Sequence, residues 1–189
     1  MNSNSSECKI AEVIERAVNG DRDSQGELIE FCQDDLYRFC LYLTGNRALS
    51  QDIAQDTLIK ALAALSGLKN PAALKGWLCQ IARNLYLDFL KSPKNAPYAN
   101  LNDLEETLAF SGGASEVDQA LDISKTLSKL KLEEREVLLL VDKQGFSYGE
   151  AAQVLDITEN ALRSRLHRAR QAFLLIFNET NGSAQSSIG

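Results

Sequence analysis

The stretch Ser147–Phe173, SYGEAAQVLDITENALRSRLHRARQAF, reads as two helices separated by a turn of a few residues. Ser147 is placed to cap the first helix, and Glu150, three residues on, completes a capping box in which each side chain satisfies a backbone N–H that the helix start leaves open. Asp156 and Ile157 form the turn, and Thr158 caps the helix that follows. Aspartate tolerates the left-handed backbone of such a turn better than most residues. Two helices joined this tightly make a helix-turn-helix.

In the second of these helices Leu162, Leu166, Ala169 and Phe173 recur at i, i+4, i+7 and i+11, which turns one face inward. The opposite face then carries Asn160, Ser164, His167 and Gln171, flanked by Arg163 and Arg168. A major-groove reader needs such groups: Arg bonds guanine bidentately, Asn or Gln bonds adenine, and Ser and His reach base edges or phosphates. Arg165 and Arg170 lie nearer the inward edge, where they suit phosphate contact or packing, and Thr158 joins the DNA-facing set at the helix start. From Thr158 to Phe173 there are four Arg and one Glu, so the helix is locally basic. An ordinary surface helix with a basic face is the alternative, and the preceding helix and turn weigh against it.

Outward from this motif, helical periodicity recurs along most of the chain and strand signals are absent. Cys8 to Asn19 predicts a short helix closed by Gly20. Asp23 to Leu43 predicts a longer one, with Leu28, Phe31, Cys32, Leu36, Phe39, Cys40 and Leu43 on its inner face and Gly45 as its left-handed stop. Ser50 is placed to cap a third helix to about Ser66, and a fourth runs from about Leu74 to Lys91, before Pro93. Asp118 to Leu130 and Leu132 to Gln144 complete the set, the latter ended by Gly145. The expected fold is therefore all-α: two small helical domains, 8–93 and 116–178, joined by a flexible acidic linker at 94–115, with frayed tails at 1–7 and 179–189.

The net charge of -6, from 20 Lys+Arg against 26 Asp+Glu, argues against nucleic acid only until it is resolved by segment. Residues 96–120 hold five acids (Asp103, Glu105, Glu106, Glu116, Asp118) and no base, while residues 121–189 hold nine of each sign. The field at the helix decides DNA contact, not the charge of the whole chain. Pro93, Pro97 and the run Ser111 to Ser115, SGGAS, mark the same middle stretch as a connection rather than a packed element.

Two faces of the first domain invite partners. In the third helix Ile53, Ala54, Thr57, Leu58, Ala61 and Leu65 share one side, leaving Asp52, Gln55, Asp56 and the apolar Ile59 on the other. Acids alone would be a solvated face, but an exposed Ile among them suggests docking onto a basic partner. The fourth helix is expected to bury Trp77, Leu78, Ile81, Leu85 and Phe89, with Gln80, Arg83, Leu87 and Lys91 outward. Together with Lys69, Asn70, Lys75 and Asn84 this gives a moderately basic edge able to follow a phosphate backbone.

Catalysis and metal binding have little to stand on. The four cysteines (Cys8, Cys32, Cys40, Cys79) lack paired spacing, the single His167 has no nearby carboxylate in sequence, and no glycine-rich phosphate loop occurs. No metal, cofactor or enzymatic activity is expected. The longest apolar runs, Val137 to Val141 and Ala172 to Phe177, are far below the ~20 residues of a membrane span. The start MNSNSSECKI lacks the pattern of a secretory signal, so a cytoplasmic protein is expected.

Three stretches together resemble the extracytoplasmic-function (ECF) sigma factors of the sigma-70 family: SQDIAQDTLIKAL (Ser50 to Leu62), KGWLCQIARNLYLDFLK (Lys75 to Lys91) and LSKLKLEEREVLLLVDKQGFSYGEAAQVLDITENALRSRLHRAR (Leu127 to Arg170). The resemblance covers about residues 8 to 175. It implies a region 2 that docks on the β′ clamp helices of bacterial RNA polymerase core through Asp52, Gln55, Asp56 and Ile59. It also implies that Lys69, Asn70, Lys75, Gln80, Arg83, Asn84 and Lys91 engage and melt the minus-10 element. Region 4 would then read the minus-35 element, most directly through Arg163, Ser164 and Arg168, and contact the β flap. An anti-sigma factor, often membrane-anchored, is a further partner implied by the family, and would hold the protein at the inner membrane face. Asp156 replaces a glycine common in the family's turn, Gly149 and Ala151 stand where larger helix formers are usual, and Ala161-Leu162 replaces Thr-Val. A stand-alone helix-turn-helix regulator is the competing expectation, but it leaves the first domain idle and offers no dimerisation helix.

Overall fold

In the computed structural model of the chain, residues 3–92 and 126–185 are described, with side chains over 10–92 and 126–179. Four helices build the first module: α1 (Ser3–Val18), α2 (Arg22–Thr44), α3 (Arg47–Ala64) and α4 (Leu74–Lys91). The second holds α5 (Leu132–Leu138), which widens into a π turn at Leu139–Lys143, then α6 (Tyr148–Leu155) and α7 (Glu159–Gln185). The described residues contain no strand. The connection expected at 94–115 and most of the helix expected over 118–130 lie outside the described residues; 126–129 are helical.

Local chemistry sets most helix ends. Gly45 closes α2 at φ 68°, its N–H returning to the Leu41 carbonyl, and Gly145 at φ 73° ends the segment before α6. Both conformations cost a side-chain-bearing residue strain that glycine escapes. Asp156 is the non-glycine residue at positive φ among those described, at φ 54°, as expected for the turn of the helix-turn-helix. The capping box forms: the Glu150 N–H donates to Ser147 Oγ at 3.3 Å, while Glu150 accepts from the Ser147 N–H at 2.9 Å.

Three boundaries differ from expectation. Asn46, not Ser50, caps α3, its Oδ1 accepting from the Leu49 N–H at 2.9 Å. Ser50 is instead fully buried one turn in, bonded to Thr44 Oγ1 at 2.7 Å, so its hydroxyl packs the α2–α3 corner. Helix α1 begins at Ser3 and α7 runs to Gln185, so residues 3–7 and 179–185 extend helices where tails were expected.

The first core gathers Leu28, Leu36, Phe39, Cys40, Leu43, Ile53, Leu65, Leu78 and Ala82 between α2, α3 and α4. Phe31, expected inward, is 62 % exposed: it falls at the edge of the α2 stripe, where none of the described helices buries it. In α4 the buried set is Leu74, Leu78, Cys79, Ala82 and Tyr86, whereas Trp77, Ile81, Leu85 and Phe89 are only half-buried. The inward face was misplaced because α4 is covered from two sides: by its own module and by α6 and the α5 segment of the second module. The second core stacks Val137, Leu139 and Leu140 against Ala151, Leu155, Leu162, Leu166 and Ala169, and the two cores run together into one cluster.

Candidate nucleic-acid interface

Helix α7 is fixed by Leu162, Leu166 and Ala169, each at most 1 % exposed. That anchoring leaves Asn160, Arg163, Ser164, His167, Arg168 and Gln171 exposed, and Thr158 is exposed at its N-cap, its Oγ1 accepting from the Ala161 N–H at 3.2 Å. Arg163 lies over the Tyr148 ring, 5.3 Å from its centroid, and 3.5 Å from Glu159. Tyr148 was not singled out in sequence; aromatic residues at a helix start give no local hint of a cation stacked from another helix.

The arginines nearer the inward edge are engaged within the protein. Arg165 is half-buried, 3.9 Å from Glu133. Arg170 donates to Asp142 through Nε at 3.1 Å and Nη2 at 2.5 Å, a two-point bond that holds its proton more firmly than usual. The cation of Arg170 is thus shared with a carboxylate of the π turn, unlike the open Arg168.

On the first module Asp52, Gln55 and Asp56 are exposed along α3, and Ile59 beside them is 65 % exposed. Lys69 and Asn70 lie on the exposed loop before α4, where Asn70 Oδ1 accepts from the Ala72 N–H at 3.0 Å. Asn84 and Lys91 are exposed, Lys91 bonding Asp88 at 3.2 Å, and Gln80 is half-buried. Arg83, expected outward, is not: its Nε donates to Glu136 Oε1 at 2.8 Å, and Glu136 is 2 % exposed. Lys75 is exposed but its ammonium donates to the Gln144 carbonyl at 2.7 Å. The sequence alone could not place Glu136 here, since it is 53 residues from Arg83.

Beside the arginine-rich helix lies an apolar groove of about 540 Å³ lined by Leu127, Leu138, Leu139, Phe173, Leu174 and Phe177, with Asp142, Lys143 and Arg170 at its rim. Leu174 is 57 % exposed. Cys32, Cys40 and Cys79 are buried, and burial pushes their thiols up to about 11, 12 and 12, which keeps them protonated and unreactive. Among the described residues no helix is long and apolar enough to cross a membrane, and no group of three or more His, Cys, Asp or Glu is placed to hold a metal ion.

A helix-turn-helix with an open polar and basic face, coupled to a four-helix module, defines a protein of transcription. Family profiles agree: sigma-70 region 2 matches residues 28–95, and sigma-70 region 4 matches residues 120–173. The ECF sigma factor EcfG of Rhodopseudomonas palustris is 32 % identical over 136 residues, covering 71 % of this chain and 75 % of that protein. A probable sigma factor of Xanthomonas campestris, RfaY, is 30 % identical over 177 residues, 90 % of this chain but 44 % of that protein. SigM of Mycobacterium tuberculosis is 29 % identical over 85 % of this chain and 80 % of its own length. The solved sigma factor RpoE of Bartonella quintana, in complex with the anti-sigma factor NepR, superposes with a TM-score of 0.69 at 25 % identity, covering 81 % of this chain and 96 % of that one. The chain belongs to the sigma-70 family, in its extracytoplasmic-function group.

Proposed function

We propose that this chain joins bacterial core RNA polymerase and directs it to promoters by two contacts, the second module selecting the minus-35 element and the first engaging and opening the minus-10 element. The observation that carries this is the partition of α7: three apolar side chains at most 1 % exposed fix the helix, and six polar or basic side chains stand open on the other side. Arg163, Ser164 and Arg168 read bases, while Thr158, Asn160, His167 and Gln171 complete the face; Arg165 and Arg170 steady the backbone contact. On the first module Lys69, Asn70, Lys75, Gln80, Arg83, Asn84 and Lys91 follow the melted strand. The exposed pair Asp52 and Asp56, with Gln55 and Ile59, suits a basic partner helix, here the β′ clamp helices. The apolar groove of α5 and α7 suits an apolar element such as the β flap.

An anti-sigma factor is a further partner, supported by the Bartonella relative solved with one. A cytoplasmic site of action follows from the polymerase itself, and a membrane-anchored inhibitor would tether the protein to the inner face. The test is run-off transcription with core polymerase on a promoter library. Initiation at selected sites that disappears in the Arg163→Ala, Arg168→Ala double variant is the expected result; initiation without the chain's influence on site choice refutes the proposal.

A further inference from the structure

The DNA-facing helix of the second module carries an acid among its cations: from Thr158 to Phe173 there are four Arg, and Glu159 is the one carboxylate. Glu159 stands in the first turn of α7, the end of a recognition helix whose side chains meet base edges in the major groove. Both helices of the motif place it. Its Oε2 accepts from Arg163 Nη2 at 3.5 Å, and its Oε1 lies over Gly149 of α6, where a Cβ would come to 3.2 Å. Gly149, which stands where larger helix formers are usual, thus leaves the carboxylate its seat. Tyr148, beside Gly149, puts its ring 5.3 Å from the same Arg163 guanidinium.

The pair adds little to stability, since the two side chains are 61 % and 53 % exposed. Its consequence for DNA is larger. A guanidinium has five N–H donors and Glu159 takes one, so Arg163 keeps the fork that bonds guanine O6 and N7. A phosphate brought to that guanidinium meets the negative carboxylate at short range and gains much less than it would from an unaccompanied arginine. A base edge carries no such charge. An amino group in the major groove, cytosine N4 or adenine N6, also offers the carboxylate a donor, whereas thymine O4 and guanine O6 repel it. We infer that Glu159 is a specificity-determining residue of the minus-35 contact. It turns Arg163 from the phosphate backbone to a guanine and itself selects an amino-bearing base at a neighbouring position, with Tyr148 as the positioning residue of the pair. The inference rests on the assignment of Arg163 to base reading. Selection of this kind works by penalising wrong partners, so it lowers total affinity while raising discrimination.

The sign of the affinity change separates this from a structural role. Holoenzyme reconstituted from bacterial core polymerase and the full chain is titrated against a promoter recovered from the library, with each minus-35 base pair substituted in turn and at several salt concentrations. Glu159→Gln keeps the shape of the side chain and removes its charge. It is expected to bind every duplex several-fold more tightly and to lose several-fold in discrimination at the guanine and at the amino-bearing position. Its salt dependence should steepen by about one phosphate contact. Discrimination equal to wild type, or weaker binding to every duplex, overturns the inference; an acid that only favours the start of α7 would give those results. Tyr148→Phe keeps the ring and is expected to discriminate as wild type does, while Tyr148→Leu, at unchanged helical content, loses several-fold at the guanine. Equal discrimination by a folded Tyr148→Leu protein overturns the positioning role. Wild-type holoenzyme that prefers no minus-35 sequence, or that is indifferent to Arg163→Ala, refutes the minus-35 reading and the inference with it. That failure is distinct from a selective wild type matched by Glu159→Gln.

Discussion

Helices α4 and α7 are both proposed to contact DNA, yet the structure treats them in opposite ways. Helix α7 buries an apolar stripe and leaves its polar face open. Helix α4 has neighbours on two sides, and its two best-placed cations are held by the other module. The difference separates two questions that a basic helix poses: whether it can hold nucleic acid, and whether it is free to do so. For α7 composition answers both. For α4 the second answer depends on a contact made across the chain.

The largest effect expected from this contrast is on stability. Leu166 is 1 % exposed inside the second core, so Leu166→Ala should lower the unfolding free energy by about 2–5 kcal/mol through lost burial and the cavity left behind. Denaturant titration would show it. A loss well under 1 kcal/mol would mean that α7 is not held by this face, and its assignment as a rigid reader would go with it.

On the opposite side of the same helix, Arg163→Ala and Arg168→Ala should leave the unfolding midpoint nearly unchanged and each cost ~1–3 kcal/mol of discrimination between matched and substituted minus-35 sequences. Competition binding against base-substituted promoters distinguishes this from a phosphate role, which would weaken all sequences alike. The exposed Arg168 should show the cleaner effect, because Arg163 also stacks on Tyr148 and pairs with Glu159.

A smaller effect tests the local code that shapes the motif. Ser147→Ala removes the acceptor for the Glu150 N–H and should cost about 1 kcal/mol, within a range of ~0.5–2 kcal/mol. The loss should appear in hydrogen exchange of α6 before it appears in α4. Equal protection loss in both helices would mean that the two modules open as one unit.

What was legible in the sequence was what neighbours in sequence decide. The stop at Gly45, the left-handed Asp156, the capping box of Ser147 and Glu150 and the two faces of α3 and α7 all follow from interactions within a turn or two. Ser50 was misread because its hydroxyl serves a buried corner with Thr44 instead of a cap. The inner face of α4 was misread for a deeper reason: periodicity assigns one inside and one outside to a helix, and α4 has a second protein surface where solvent was assumed. Arg83, Lys75 and Tyr86 all report that surface, and nothing within α4 encodes the approach of Glu136 or Gln144.

The Arg83–Glu136 pair also carries a pH signature whose sign can be worked out. Burial pushes the Glu136 carboxyl above the ordinary glutamate value of 4.5, and Arg83 pulls it back only in part. A carboxyl with a raised folded-state pKa takes up a proton on folding, so its favourable contribution is complete below the unfolded value and is lost as pH rises through the folded one. Glu136→Gln, neutral throughout, should therefore gain stability relative to wild type as pH climbs from the ordinary glutamate range toward neutrality. Thermal melts across that range measure the difference. A relative stability that falls instead would mean that Arg83 outweighs burial and that the pair is a net clamp. With the expected sign, the pair specifies how the modules meet while adding little to hold them together.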